Sequence, residues 1–581
     1  MKNVYLFQFS IVNENKFVLL PYSAGLIQAY SQSIDQINEQ FTFPEDIIFI
    51  PENEETFLSK IKNPSIVGFS IYLWNLSYTD NIARKIKKKY SNCKIVYGGP
   101  QVPDNYYEFL KERPWVDHLI HKEGEISFAD YLLNKNTKPT ERIKDLKDLP
   151  SPYLAGVFDG YKSRHKKYVL NAILETNRGC PYKCTFCDWG GVTYSKIYKF
   201  PLERVYKELE WMSTNKIEFI TSADANFCIF KERDEKIIDE MIRLKKNSGY
   251  PKTFNTSWAK NSNEFVLNMA SKLKKESMLR KFNVSLQSLN TTTLHHIKRR
   301  NMEFNNLTTL ISSAKNKNLD VLVELVLNLP GETKKTWIDN YCKILKMENV
   351  YIESYPLTVL NNSELNDEDY KKKHCIKTVK SKTNYGLQLN EQENIVVSTK
   401  NMSEKDYSEV CLFTWFLRSM HSMGYLFYIY QFMKDELQID IKDFYEYIFQ
   451  NCPNSLKDIL KNKKTLLRNN LYNTFYYDNN WIHSIEENRD IFYTEIGQLI
   501  KKQYGSKYID ELLEFQNTSL FNSNITYPIT KTFNYNFMSM KKEQVNIEFD
   551  HPGINTHNDF KSFLSLTRSH DWKCNMEIVK I

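Results

Sequence analysis

Asn177-Arg178-Gly179-Cys180-Pro181-Tyr182-Lys183-Cys184-Thr185-Phe186-Cys187-Asp188-Trp189-Gly190 places three cysteines within eight residues, spaced Cys-x3-Cys-x2-Cys. A cubane iron–sulfur cluster takes four ligands, so three thiolates leave one iron open to a substrate or a cofactor. The run directly follows an apolar, strand-like stretch at 168–176, so a rigid strand delivers a loop punctuated by glycine and proline. Structural zinc wants four ligands, often as pairs of Cys-x2-Cys. No second pair lies nearby, and the next cysteine is Cys228. A disulfide framework does not suit a long chain whose first residues, Met1-Lys2-Asn3-Val4-Tyr5-Leu6-Phe7, read as a strand rather than a signal peptide.

With the aromatic Phe186 just ahead of the third cysteine, the motif resembles that of the radical SAM superfamily. The resemblance implies a 4Fe–4S cluster held by Cys180, Cys184 and Cys187, with S-adenosylmethionine on the open iron. Reductive cleavage of that cofactor then yields a 5′-deoxyadenosyl radical that abstracts hydrogen from a substrate. The cofactor carries the chemistry and the protein supplies geometry.

Upstream, strand-like segments (4–11, 65–71, 94–97 and 116–121) alternate with helical patterns (24–33, 78–90 and 127–133). Such alternation predicts a parallel, doubly wound sheet, whose ligands bind beyond the carboxyl ends of the strands. Gly68, Gly98, Gly99 and Gly124 fall at or near those ends. Gly-Phe-Ser-Ile-Tyr-Leu-Trp-Asn at 68–75, Gly-Gly-Pro at 98–100 and Gly-Glu at 124–125 resemble the cobalamin-binding domain of cobalamin-dependent radical SAM enzymes. The Asp-x-His-x-x-Gly motif that supplies a lower ligand in many cobalamin proteins is missing. His121-x-x-Gly124 echoes it, but Leu119 stands in place of the aspartate. The alternative is a Rossmann-like domain that only packs on the barrel or the substrate.

Downstream, strands are expected at 217–221, 253–258, 281–288, 320–327 and 350–355. Counted with the cysteine-bearing strand these make six, matching the partial barrel of the family. The resemblance then assigns candidate cofactor contacts at successive strand ends. Phe186 lies near the adenine; Ser222 and Asp224 stand where the amino group binds. Ser285 and Gln287 stand where ribose and carboxylate contacts arise, and Gly331 and Glu332 follow the fifth strand near adenine. Arg299 and Arg300 open a loop from which a guanidinium could pair with the cofactor carboxylate. Each has a plainer reading: Asp224 could cap a helix, and Pro330-Gly331 could be a turn.

The organisation expected is α/β. A cobalamin-binding-like Rossmann domain at 1–134 leads through a linker at 135–164 to a partial (β/α)6 barrel at 165–360. A mostly helical accessory domain fills 361–581; its segment 407–435, rich in aromatic residues, reads as a packed core helix, and the tail from 524 alternates as a small sheet would. Cys375 is a candidate hydrogen donor of the kind used by radical SAM peptide epimerases, with a buried, inert thiol as the alternative.

The net charge of +8 is small for 581 residues, and runs such as Lys85-Ile86-Lys87-Lys88-Lys89 suit a solvated helix face better than nucleic acid. No apolar run reaches the roughly 18 residues of a membrane span. The sequence therefore reads as a cytoplasmic enzyme with no nucleic-acid or membrane partner. The family resemblance favours cobalamin-dependent C-methylation of a peptide or other natural product, with an electron donor such as flavodoxin or ferredoxin. Peptide epimerisation, ring formation without cobalamin, and an iron–sulfur redox sensor are the alternatives.

Overall fold

The computed structural model describes residues 1–13, 15–44, 46–135, 142–190, 196–260, 262–347, 350–478, 480–505, 507–521, 525–550 and 574–579. Residues 136–141 of the linker expected at 135–164 therefore lie outside the described residues. The chain forms two compact units: residues 1–331 with 354–400, and residues 332–353 with 401–581.

The first unit opens with six short strands, β1 (Lys2–Phe7), β2 (Phe17–Leu19), β3 (Phe41–Thr42), β4 (Pro64–Ser70), β5 (Lys94–Gly98) and β6 (His118–Leu119). Five of them make a parallel sheet in the order β3-β1-β4-β5-β6. Val67, Phe69, Ile95 and Tyr97 are buried, as expected of strands covered on both faces. Helix Leu76–Lys89 lays Ile82, Ala83 and Ile86 on this core and carries Lys87, Lys88 and Lys89 in the last turn, where they interact favourably with the helix dipole. β2 was not legible in the sequence. It leaves this sheet and pairs in parallel with the cysteine-bearing strand, Phe17 beside Val169 and Leu19 beside Asn171.

The next strands are β7 (Val169–Leu174), β8 (Asn177–Arg178), β9 (Tyr198–Lys199), β10 (Phe219–Ser222), β11 (Thr253–Asn255), β12 (Phe282–Gln287), β13 (Val321–Leu327) and β14 (Val350–Pro356). All six barrel strands expected from the sequence are present, in two sheets, β11-β10-β7-β2 and β12-β13-β14. Between the two, the Phe254 N–H donates to the Met278 carbonyl at 2.8 Å. β8 and β9 form a small antiparallel clamp at the two ends of the cysteine loop, Asn177 beside Lys199 and Arg178 beside Tyr198.

Beyond the barrel the chain turns through helix Glu368–His374 into an antiparallel hairpin, β15 (Lys377–Asn384) and β16 (Asn390–Ser398). A mostly helical domain was expected over 361–581, and this hairpin corrects it at 377–398. Its inward side chains include Ser381, Thr383, Glu391 and Glu393, all buried. A strand whose buried face is polar shows no alternation of hydropathy. Both Glu391 carboxylate oxygens accept from the Ser77 N–H at 2.9 Å, which ties the hairpin to the N-terminus of helix Leu76–Lys89.

Among the described residues of 401–581 in the second unit, the chain is helical apart from an antiparallel sheet of β17 (Ile529–Phe533), β18 (Val545–Asp550) and β19 (Asn575–Ile578). The single helix expected at 407–435 is two, Glu404–Leu417 and Phe427–Leu437. They are separated by a wider turn at Arg418–Ser422 and by Gly424 at φ +96°. Among the described residues no helix is long and apolar enough to cross a membrane.

Candidate active site

The loop carrying the cysteines is held at both ends. Asp224, just past the end of β10, is buried; it accepts from the Thr176 N–H at 2.8 Å, the Asn177 N–H at 3.1 Å and Asn177 Nδ2 at 2.8 Å, and also from the Thr176 hydroxyl. Burial pushes its carboxyl up to about 7, against the pull of the donors from Thr176 and Asn177. On the other side the Thr185 N–H donates to the Ile297 carbonyl at 3.2 Å, and the Leu365 N–H donates to the Thr185 carbonyl at 2.7 Å. The Thr185 and Tyr370 hydroxyls lie 3.2 Å apart.

Cys180 and Cys184 are buried, and Cys187 is half-buried. Asn226 Nδ2 donates to Cys180 Sγ at 3.2 Å. Lys260 Nζ and an Arg299 guanidinium nitrogen each stand 3.9 Å from Cys184 Sγ. Iron takes cysteine as the thiolate. Burial raises the Cys187 thiol, with Lys260 opposing, so metal binding there must displace a proton. Among the described residues no three His, Cys, Asp or Glu side chains converge to hold a single metal ion. In a cubane each thiolate takes its own iron, so the ligands of such a cluster need not converge on one point.

Cys184 and Cys187 line a cavity of about 1530 Å³, and Gly68, Gly98, Gly99 and Gly124 line it too. Ordinary small-molecule pockets hold about 300–1,000 Å³, so this one suits an unusually large group. Gly99 has φ +104°, and a Cβ there would stand 2.7 Å from the Ile71 carbonyl oxygen, so only glycine lets the backbone turn over the sheet edge. Tyr72 and Trp74, which also line the cavity, stack at 4.4 Å with their planes 12° apart.

A third wall is ionic. Arg178 reaches Glu125 Oε1 at 2.6 Å and Glu175 Oε1 at 2.9 Å, and the Tyr22 hydroxyl donates to Glu175 Oε2 at 3.3 Å. Glu125 follows the glycine that opens helix Gly124–Leu132, while Glu175 and Arg178 flank the strand end before the cysteines. The triad therefore ties the glycine-edged sheet to the cysteine loop. Its side chains keep only 11%, 5% and 14% exposure for Arg178, Glu125 and Glu175. Removing one member of a buried ion network strands the others. Arg178→Met should cost about 3–5 kcal/mol of apparent stability, read as a lowered midpoint in urea unfolding. An unchanged midpoint would mean that water takes the place of the guanidinium at both carboxylates.

The family model of the radical SAM superfamily matches residues 174–341, which contain the cysteine loop and the strands after it. The cobalamin-dependent radical SAM methyltransferase TokK of Streptomyces tokunonensis is 30% identical over 465 residues, covering 75% of this chain and 68% of that protein. This chain belongs to the cobalamin-dependent radical SAM methyltransferases. The 2-(S-pantetheinyl)-carbapenam-3-carboxylate methyltransferase of Streptantibioticus cattleyicolor is 29% identical over 466 residues, with the same 75% and 68% coverage. The structure of OxsB, a cobalamin-dependent S-adenosylmethionine radical enzyme with aqua-cobalamin and S-adenosylmethionine bound, superposes with a TM-score of 0.56. That likeness covers 89% of this chain and 84% of OxsB at 12% identity, and it is one of fold.

The cofactors of a cobalamin-dependent radical SAM methyltransferase fit the residues present. Three cysteines on one loop leave an iron of a 4Fe–4S cluster free for S-adenosylmethionine. The glycine-edged wall leaves room for cobalamin. His121 is not among the cavity-lining residues; its ring packs on Tyr106 at 5.4 Å.

The other expected positions divide. Phe186 joins Leu329, which precedes Pro330-Gly331, and Ile297 in one apolar cluster. Gly331, at φ +95°, packs so closely that a Cβ would meet His296 Nδ1 at 2.9 Å. Ser222 Oγ accepts from the Asp224 N–H at 3.1 Å, and Asp224 itself, expected at the cofactor's amino group, is turned to Thr176 and Asn177. Ser285 bonds Glu324, and Gln287 ends β12 at φ +68°. Arg299 is buried, bonded to Asn301 Oδ1 at 2.8 Å and to the Ser285 carbonyl, with its remaining nitrogen toward Cys184. Arg300 is exposed. Glu332 belongs to the second unit, where it accepts from the Thr336 hydroxyl. Cys375 is exposed at the C-terminus of helix Glu368–His374, and neither it nor Cys228 lines the cavity.

Sequence reasoning missed the Glu125–Glu175–Arg178 triad, Asn226 and Lys260. Glu175 and Arg178 carried a signal in their place beside the cysteine motif. Asn226 lies two residues beyond Asp224 in the same loop. Nothing local marked Lys260.

Proposed function

We propose that this chain methylates a carbon of a small natural product that carries a carboxylate. The observation that carries the reading is the single cavity onto which the strand-end glycines and two cluster cysteines both open. When bound, the cluster and S-adenosylmethionine supply a radical that takes a hydrogen atom, and cobalamin supplies the methyl group. The protein's part is placement. Gly68, Gly98, Gly99 and Gly124 stand on one wall, Cys184 and Cys187 stand on the other, and with Cys180 these two hold the cluster. Arg178, with Glu125 and Glu175, fixes the spacing between the two walls. The stacked Tyr72 and Trp74 give the first wall a flat aromatic surface. A flavodoxin- or ferredoxin-type carrier supplies the electron that starts each cycle.

The carboxylate is argued from two of the cavity's cations and from the name of a relative. Lys122 and Lys183 line it, are exposed, and make no ion pair among the described residues. The relative from Streptantibioticus cattleyicolor is named for a carboxylated, pantetheine-bearing bicycle. That substrate is the first probe: reconstituted protein given it with methyl-deuterated S-adenosylmethionine should return it heavier by one trideuteromethyl group. Deoxyadenosine formed with solvent deuterium in an unmethylated product would instead mean epimerisation. Cys375→Ala should leave both cofactor cleavage and methyl transfer at the wild-type rate, because the thiol is exposed, does not line the cavity and bonds the Lys372 carbonyl at 3.8 Å. Loss of product with cleavage retained would restore Cys375 as a hydrogen donor.

A further inference from the structure

Residues 371–382 read Lys-Lys-Lys-His-Cys-Ile-Lys-Thr-Val-Lys-Ser-Lys, six lysines with no acid, against a net charge of only +8 for the whole chain. Lys371 is paired with Glu368 at 3.2 Å. Lys372, Lys373, Lys377, Lys380 and Lys382 are exposed and make no ion pair among the described residues, and the same holds for Lys400, whose N–H bonds the His374 carbonyl at 2.7 Å. On the hairpin, Lys380 stands opposite Asn394 and Lys382 opposite Gln392, so the neighbouring strand offers neutral amides on that face. Its carboxylates, Glu391 and Glu393, are buried. Asp369 lies one helical turn before Lys372 and Lys373, so the uncompensated charge is greatest on the strand, where like charges repel and cost stability. Such a patch is relieved when an acidic surface docks on it.

The patch has a direct connection to the cluster loop. It begins on the helix whose Tyr370 hydroxyl meets the Thr185 hydroxyl at 3.2 Å, and Thr185 lies between Cys184 and Cys187. Lys371, at its start, lines the same cavity as those two cysteines.

We infer that the lysine face of helix Glu368–His374 and strand Lys377–Asn384 is the docking surface for an acidic one-electron carrier of the flavodoxin type. The inference rests on the function proposed above. In the step it serves, one electron leaves the carrier's anionic flavin hydroquinone, which becomes the semiquinone, and enters the cluster held by Cys180, Cys184 and Cys187. No proton or further reactant is required.

The test uses the full-length, cluster-reconstituted protein and purified flavodoxin. Binding of oxidised flavodoxin is measured by calorimetry for the wild type and for Lys377→Glu/Lys380→Glu/Lys382→Glu. Deoxyadenosine formation is measured with reduced flavodoxin and, separately, with dithionite. The triple variant should bind flavodoxin at least about tenfold more weakly and lose flavodoxin-driven cleavage in proportion, while dithionite-driven cleavage is unchanged. A variant that binds and is reduced as the wild type is would overturn the proposal. So would a variant that keeps flavodoxin binding but loses affinity for a carboxylated substrate, since the patch would then belong to the substrate. The unmodified protein gives an arm free of folding effects: its affinity for flavodoxin should fall steeply with added salt, and salt-independent binding would contradict a lysine interface. Failure of the wild type to cleave with either reductant would count against the function itself.

Discussion

Cys184→Ala should reduce deoxyadenosine formation to the uncatalysed background. The three thiolates lie on one loop, and a cubane left with two protein ligands has no stable seat. Cys184 is also the thiol approached by both Lys260 and Arg299, at 3.9 Å each, so its loss leaves two cations facing an empty position. Iron and sulfide content and the reduced-cluster electron paramagnetic resonance signal should fall together. A variant that keeps deoxyadenosine formation at the wild-type rate would show that Cys184 is not a cluster ligand.

Gly98→Leu should empty the other wall while leaving the cluster intact. Gly98 ends β5 and lines the cavity, and a Cβ built on it finds its nearest neighbour, Ile120 Cβ, at 3.5 Å, an ordinary contact. The backbone therefore accepts a side chain, and the larger part of leucine takes space that cobalamin requires. Each 1.4 kcal/mol of lost binding is about a factor of ten in affinity. A clash with a rigid corrin exceeds that, so cobalamin content after gel filtration should fall to about a tenth or less of wild type. Iron content and deoxyadenosine formation should persist, and methyl transfer should not. Gly99 is a poorer probe, because a side chain there meets the Ile71 carbonyl at 2.7 Å and strains the backbone itself. A Gly98→Leu protein that retains full cobalamin would move the cobalamin site away from the sheet edge.

The alternation of strands and helices was legible because parallel strands buried on both faces read as apolar runs, as at 65–71 and 320–327. The cysteine motif was legible because ligand spacing is local. Elements that depend on tertiary pairing were not. β2 has only three residues and exists because β7 offers it an edge. The hairpin of β15 and β16 buries Ser381, Thr383, Glu391 and Glu393, so its pattern does not look like a strand. The break between Glu404–Leu417 and Phe427–Leu437 follows Gly424, hidden in a long aromatic run. At the site, the glycines and cysteines could be named singly, but their common cavity arises only when the two sheets are brought together. Asp224 was expected, by resemblance, at the cofactor's amino group. Its bonds to Thr176 and Asn177 give it work in holding the cysteine loop, which no local pattern foretold.

The account turns on cobalamin and cluster sharing one cavity, and the most direct measurement is the cobalamin content of protein made anaerobically with cobalamin supplied and its cluster reconstituted. Absorbance and mass spectrometry should find stoichiometric cobalamin beside a full cluster. An intact cluster with no cobalamin would contradict the account and leave the glycine-edged sheet as a scaffold.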